Sequence, residues 1–284
     1  MTKKKLINIA GFTLIEVLIA VVITTLMMAA MFTSYSLVNS TYRQVTDRAK
    51  ISQAGRDTVG AMLREIRMAG FKYINDNIAA STEHNPIKIT QGAWTTGSGE
   101  CDKIEIVYGG HTYDSGTSTS TYERYKITYE CAPSQKIDET TTNKAAIDGF
   151  AIYKSKEKWD TAATPPVWSV AGDENYKKEL ILDYVQDLVF IPYDENGKIM
   201  EPPGGSQIVP TDAKAYDVRT IDIGLVIRST KAFFKQDTAG GIARKIISIA
   251  STGTSSDRYI EKADKYLRDT ISVTAHARNI GLDQ

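Results

Sequence analysis

Few side chains in this sequence are spaced to do chemistry, and the conspicuous one is a carboxylate set among hydrocarbons. Glu16 is the only charged residue between Lys5 and Arg43. A carboxylate in so apolar a setting is expensive unless a positive partner meets it, which marks Glu16 as functional. Cys101 and Cys131 are the only thiols, able to form one disulfide or to remain as two buried free cysteines. His84, His111 and His276 are scattered, and none has a second histidine or cysteine at ligand spacing, so no metal site is expected. There is no phosphate-binding glycine loop closed by lysine and serine or threonine, and no Gly-x-Ser-x-Gly elbow. Gly97-Ser98-Gly99 and Gly240-Gly241 read as loops. The chain is expected to be neither an enzyme nor a cofactor carrier.

The element that must position Glu16 is an apolar run from Phe12 to Phe32. As a helix it spans roughly 31 Å at about 1.5 Å per residue, the thickness of a bilayer's hydrocarbon core. Lys3, Lys4 and Lys5 precede it without any acidic residue, which holds its start on the cytoplasmic side. A cleavable secretory signal keeps its apolar region upstream of a small-residue cut site. Leu26-Met27-Met28-Ala29-Ala30 offers such a late site, but a cut there leaves Glu16 unexplained.

Gly11-Phe12-Thr13-Leu14-Ile15-Glu16-Val17-Leu18-Ile19-Ala20 resembles the prepilin peptidase site of type IV pilins and type II secretion pseudopilins. The resemblance implies a cut between Gly11 and Phe12, N-methylation of Phe12, and an assembly charge pair between Glu16 and a neighbouring subunit's terminal amine. It also implies an α+β, type IV pilin-like fold with a long N-terminal helix packed on an antiparallel sheet. The expected divisions are a cleaved basic leader over 1–11, a helix over 12–69 with its membrane segment at 12–32, and a β-rich domain over 70–284.

With the leader removed, 34 basic residues lose three lysines against 34 acidic ones, a net charge of about −3. Composition therefore gives nucleic-acid binding no support. Beyond the membrane run, Val38, Tyr42, Val45 and Ala49 step at helical period, and Val59, Leu63 and Ile66 resume it, with Ser52 and Arg56 interrupting. The first part of this stripe reads as facing other subunits and the last turns as packing on a globular domain; the alternative is that all of it packs at home. Gly70 predicts the helix stop. Gly55 and Gly60 inside it mark flexible points or close packing.

Past Ile87 the texture changes to short strands. Lys103–Tyr108 and Tyr122–Tyr129 alternate, and Gly109–Thr121 between them reads as a flexible hairpin loop. Cys101 and Cys131 bracket this unit, so an antiparallel hairpin centred near Gly116 sets them opposite each other. A disulfide there adds about 3.5 kcal/mol on the chain-entropy estimate, and an exported chain favours it. Residues 134–180, with Pro165-Pro166, Trp159 and Trp168, read as a long surface excursion with room for short strands. Tyr184–Tyr193 is strand-like and ends in the turn Asp194-Glu195-Asn196-Gly197, and Glu201-Pro202-Pro203-Gly204-Gly205 is a loop. Val218–Arg228 is the strongest strand, 231–268 a long insertion with Tyr259–Leu267 helical in part, and Thr270–Asn279 a closing strand.

This order of strands and the final Arg278-Asn279 resemble the PilW-type minor pilins, with J-type secretion pseudopilins as the runner-up. The absence of a proline over 12–85 separates the chain from many major pilins. The resemblance implies a minor pilin that helps prime a filament near its tip. Its partners would be prepilin peptidase, other minor and major pilins and the inner-membrane assembly platform. It would cross the inner membrane once, with its domain in the periplasm, before joining a surface pilus. A binding module, either an adhesin or a DNA-uptake tip using aromatic and Gly/Ser/Thr-rich loops, is the competing class.

Overall fold

The computed structural model describes residues 12–72, 84–92, 101–136, 147, 149–172, 175–200, 217–233, 244–249 and 258–279. The chain divides into two compact units, Met1–Asp47 and Arg48–Gln284. One helix, α1 (Leu14–Met68), supplies the described part of the first unit and enters the second. Within the first unit its apolar side chains stay exposed, including Val38 (66%) and Tyr42 (70%) on the stripe predicted to face other subunits.

From Ile51 onward the helix buries one face. Ile51, Gly55, Thr58, Val59, Met62 and Ile66 share one face of the helix and are all buried, while Leu63 is only partly so. They lie against an antiparallel sheet in the order β1-β2-β3-β4-β6-β7-β10, with β5 added to β4. The strands are β1 (Ile87–Thr90), β2 (Lys103–Asp114), β3 (Thr119–Pro133), β4 (Phe150–Asp160), β5 (Val167–Ser169), β6 (Tyr176–Tyr193), β7 (Thr220–Arg228) and β10 (Arg268–His276). A separate ribbon pairs β8 (Arg244–Ile249) with β9 (Arg258–Lys262). Ile104, Ile106, Ile127, Phe190, Ile221 and Ile223 supply much of the sheet's side of the core, each essentially inaccessible to solvent. Full burial of such a side chain contributes about 1.5–3 kcal/mol. The architecture is thus α+β, a long N-terminal apolar helix packed through its last turns on an antiparallel sheet.

The helix ends where glycine permits. Gly70 has φ +76° and gives its N–H to Val107 O (2.9 Å), tying the helix exit to β2. Asn279 donates its side-chain N–H to Arg67 O (3.0 Å), so the end of the closing segment satisfies a last-turn carbonyl. Glu65 of α1 pairs with Lys154 of β4 beneath the helix. Burial alone would lower the Lys154 pKa, but bonding to Glu65 and Tyr176 outweighs it and raises the value.

Several expectations need correction. Gly109–Thr121 is no flexible loop: β2 and β3 run through it to a turn of residues 115–118, because exposed threonines suit a strand as well as a loop. Asp114 closes that turn, accepting from Gly116 N (2.8 Å) and Thr117 Oγ1 (2.9 Å). The supposed excursion over 134–180 contains β4, β5 and the start of β6. Tyr259–Leu267 is not helical; its first residues form β9. The loop at 201–205, Gly97–Gly99 and Gly240-Gly241 lie outside the described residues.

The cysteines are also differently placed. The β2–β3 register pairs Asp114 with Thr119 and Ile104 with Tyr129, so Cys101 does not sit opposite Cys131 in the ladder. Cys131 pairs with Ile152 of β4, and Cys101 bridges in parallel to Leu188 of β6. The two are nevertheless disulfide-bonded, with Cα atoms 5.9 Å apart. Next to Cys101, the fully buried Asp102 gives its N–H to Leu188 O (2.8 Å) and accepts from Phe190 N (3.1 Å) and Gly92 N (3.0 Å). The β4–β6 ladder stops at Phe150↔Val185, and Asp102 serves the edge of β6 beyond it.

Two predictions follow from this packing. An added Cβ at Gly55 would lie 2.3 Å from Ile271 Cδ1 and 2.5 Å from Ile227 Cδ1, whereas at Gly60 it meets nothing within 4 Å. Gly60→Ala should therefore raise stability by about 0.5–1 kcal/mol, and Gly55→Val should lower it by about 1–3 kcal/mol. Urea unfolding of the full chain in micelles, followed by circular dichroism, measures both. Asp102→Ala strands the buried Phe190 N–H and the partly buried Gly92 N–H and should cost about 1–3 kcal/mol, while Asp102→Asn, keeping one acceptor, should cost less. An equal urea midpoint for wild type and Asp102→Ala would show that the carboxylate carries no structural weight.

Candidate functional site

At the amino terminus, sequence alone builds the local structure. Thr13 stands just ahead of α1, and Glu16 is three residues later. Glu16 Oε2 accepts from Thr13 N (2.8 Å) and from Thr13 Oγ1 (3.0 Å), while Thr13 Oγ1 accepts from Glu16 N (3.3 Å). This is a reciprocal capping box, in which two otherwise orphaned backbone donors of the first turn are satisfied by side chains. The pattern Thr-x-x-Glu announces it, a role for Glu16 beyond the charge pairing expected of it. Both bonds fall on one carboxylate oxygen, which leaves the other to a partner.

Phe12 begins the described chain at 88% exposure, and Gly11 lies outside the described residues, as does the lysine leader. Along the apolar run the hydroxyls turn inward on the helix. Thr24 Oγ1 donates to Ala20 O (2.7 Å), Thr33 Oγ1 to Ala29 O (2.9 Å), and Thr25 to Val21 O. Each polar hydrogen is thereby spent within the helix, as a hydrocarbon surrounding requires. The helix is long and apolar enough to cross a membrane, with a mean hydropathy of 2.4 over its most apolar stretch.

The remaining predicted chemistry is dispersed. The Cys101–Cys131 bond lies in the sheet domain, and His276 is exposed on β10. Among the described residues, no three His, Cys, Asp or Glu side chains gather to hold a metal ion.

Residues 7–32 match the family described as the prokaryotic N-terminal methylation motif. Among solved structures, the chain is similar to a type IV-like pilin of Thermus thermophilus, with 9% identity and a TM-score of 0.41. That alignment covers 81% of this chain and 98% of the other. No curated protein matches the chain. The matched motif is seated at the head of an apolar helix that continues onto an antiparallel sheet, so the chain carries a prokaryotic N-terminal methylation motif on an α+β framework. The motif implies processing by prepilin peptidase.

Capping and charge pairing make different demands on Glu16, and two substitutions separate them. Glutamine at this helix position can still accept from the Thr13 backbone but carries no charge. If charge pairing governs assembly, both Glu16→Gln and Glu16→Ala should be cut and membrane-resident yet depleted from filaments by tenfold or more. If capping alone matters, Glu16→Gln should assemble like wild type. Immunoblots of sheared-pilus and membrane fractions distinguish these outcomes.

Proposed function

We propose that this chain is a minor pilin, a structural and assembly-initiating subunit of a type IV pilus located near the filament tip. The observation that carries the reading is the methylation motif at the head of a helix whose apolar surface is left uncovered. An uncovered surface of that extent is stable in water only if something else covers it. A bilayer covers it first, and neighbouring helices cover it after the subunit is drawn into a fibre.

On this reading prepilin peptidase cuts between Gly11 and Phe12, and Phe12 is then N-methylated. Glu16 pairs with the terminal amine of an adjacent subunit. Other minor and major pilins and the inner-membrane assembly platform are the further partners. The domain resides in the periplasm before the subunit reaches the cell surface. Within that class the reading favours a PilW-type minor pilin, on strand order and on Arg278-Asn279. A type II secretion pseudopilin would share the same amino-terminal chemistry, so the test must read filaments as well as processing.

Deletion of the gene should abolish or sharply reduce piliation, seen by electron microscopy, while leaving type II secretion intact. Mass spectrometry of the mature protein should find N-methylated Phe12 as its first residue, and Gly11→Leu should retain the lysine leader. A mature start near Ala29 or Ala30, or normal pili with failed secretion, would overturn the assignment.

A further inference from the structure

Where β2–β3 and β4–β5 run past the end of the β3–β4 ladder, the sheet carries several rings. His111 and Tyr122 are paired across β2–β3 with centroids 5.3 Å apart, and Trp159 and Trp168 across β4–β5 at 5.1 Å. His84 packs on both indoles at 4.5 and 4.7 Å. Between Tyr122 and Trp159 the sheet opens. The β3–β4 ladder ends at Tyr125↔Lys158, although β3 stays paired to β2 and β4 to β5 beyond that point. The two strands part around a cavity of about 340 Å³, bounded by Thr121–Glu123, Lys158–Thr161, Ser169 and Ala171.

The chemistry of this cleft is mixed in a telling way. Aromatic surface lies beside hydroxyls of Thr121 and Ser169, carboxylates of Glu123 and Asp160, and the Lys158 ammonium. Burial pushes the Glu123 carboxyl up, but Lys158 and the Tyr125 hydroxyl outweigh it and hold it below its usual range, so it stays an acceptor. Lys158 is paired to Glu123, while Asp160 Oδ1 accepts from Ala162 N (2.9 Å) and, among the described residues, no cation pairs with Asp160. A phosphate or carboxylate ligand would be repelled by that charge. What fits is a flat molecule with an apolar face and a rim of hydroxyls.

We propose that this cleft binds a neutral saccharide, its C–H face against Trp159 or Tyr122 and its hydroxyls hydrogen-bonded to Asp160 and Thr121. Such a site is independent of the filament role, since it lies in the sheet domain and uses none of the amino-terminal machinery. It would give a surface-exposed subunit a means to hold glycans.

The full chain in dodecylphosphocholine micelles, a detergent without a sugar headgroup, allows the test by saturation-transfer NMR. The probes are glucose, galactose, mannose, N-acetylglucosamine and their β-linked dimers, with N-acetylneuraminate and hexathymidylate as charged comparators. At least one neutral sugar should show saturable transfer. Asp160→Asn, a substitution at the cleft rim that should leave thermal unfolding unchanged, should weaken it at least fivefold, and Trp159→Phe should do likewise. No transfer to any neutral sugar overturns the proposal. So does transfer that both variants leave unaltered, or tighter binding of hexathymidylate than of every sugar.

Discussion

The sheet domain depends on one narrow apolar stripe, the face of α1 from Ile51 to Ile66. A sheet with one face uncovered exposes a continuous apolar surface, and here the stripe covers it. The stripe works because its residues vary in size as the sheet requires. Gly55 admits the tips of Ile227 and Ile271, which an added Cβ would force to shift, while Met62 and Ile66 are buried in the same core as Ile104 and Phe190. Polar groups then fix the register. Glu65 meets Lys154, Asn279 meets the Arg67 carbonyl, and Gly70 turns the chain into β2. These groups contribute direction more than stability, since each exchanges water for a protein partner at small net gain.

The amino-terminal half of the same helix follows the opposite rule. Its apolar residues encircle the helix, and its threonines bond back to its own carbonyls. No one-sided stripe forms there, which is what distinguishes a segment made for lipid or for neighbours on every side from one made for a single sheet. Both halves share one uninterrupted run of backbone hydrogen bonds, so the boundary between them is chemical. It falls where charged residues return after Arg43 and the apolar pattern narrows to one face.

Much of this was legible in the residues, and the failures have physical causes. The apolar run, the Gly70 stop and the β7 alternation are strong because each reflects a single dominant requirement. β4 was missed because Lys154, Lys156 and Lys158 fill the positions where a half-buried strand normally carries apolar residues. In the structure Lys154 and Lys156 lie over the Tyr129 and Tyr125 rings, and Lys154 and Lys158 pair with Glu65 and Glu123. Long-range partners neutralised those charges, and no local pattern could reveal them. The hairpin tip was read as a loop because its serines and threonines are exposed on both faces. Asp102 was invisible for a similar reason: its value lies in edge donors of Phe190 and Gly92, and that geometry exists only once β4 has stopped short.

Glu16 shows how a cap and a functional charge can occupy one residue. The capping box accounts for its backbone role without removing its charge, because hydrogen bonds to a carboxylate delocalise the negative charge but do not cancel it. The helix N-terminus adds a favourable dipole, which lowers the cost of holding an anion in that turn. A subunit waiting in a membrane can thus keep its carboxylate without a cationic partner, at a penalty reduced by Thr13 and by the helix itself. If an amine pairs with Glu16 as proposed, it would meet a carboxylate already oriented by Thr13, so little ordering would remain to be done. On the proposed pairing, Thr13 would belong to the assembly apparatus along with Glu16, since its contacts orient the carboxylate.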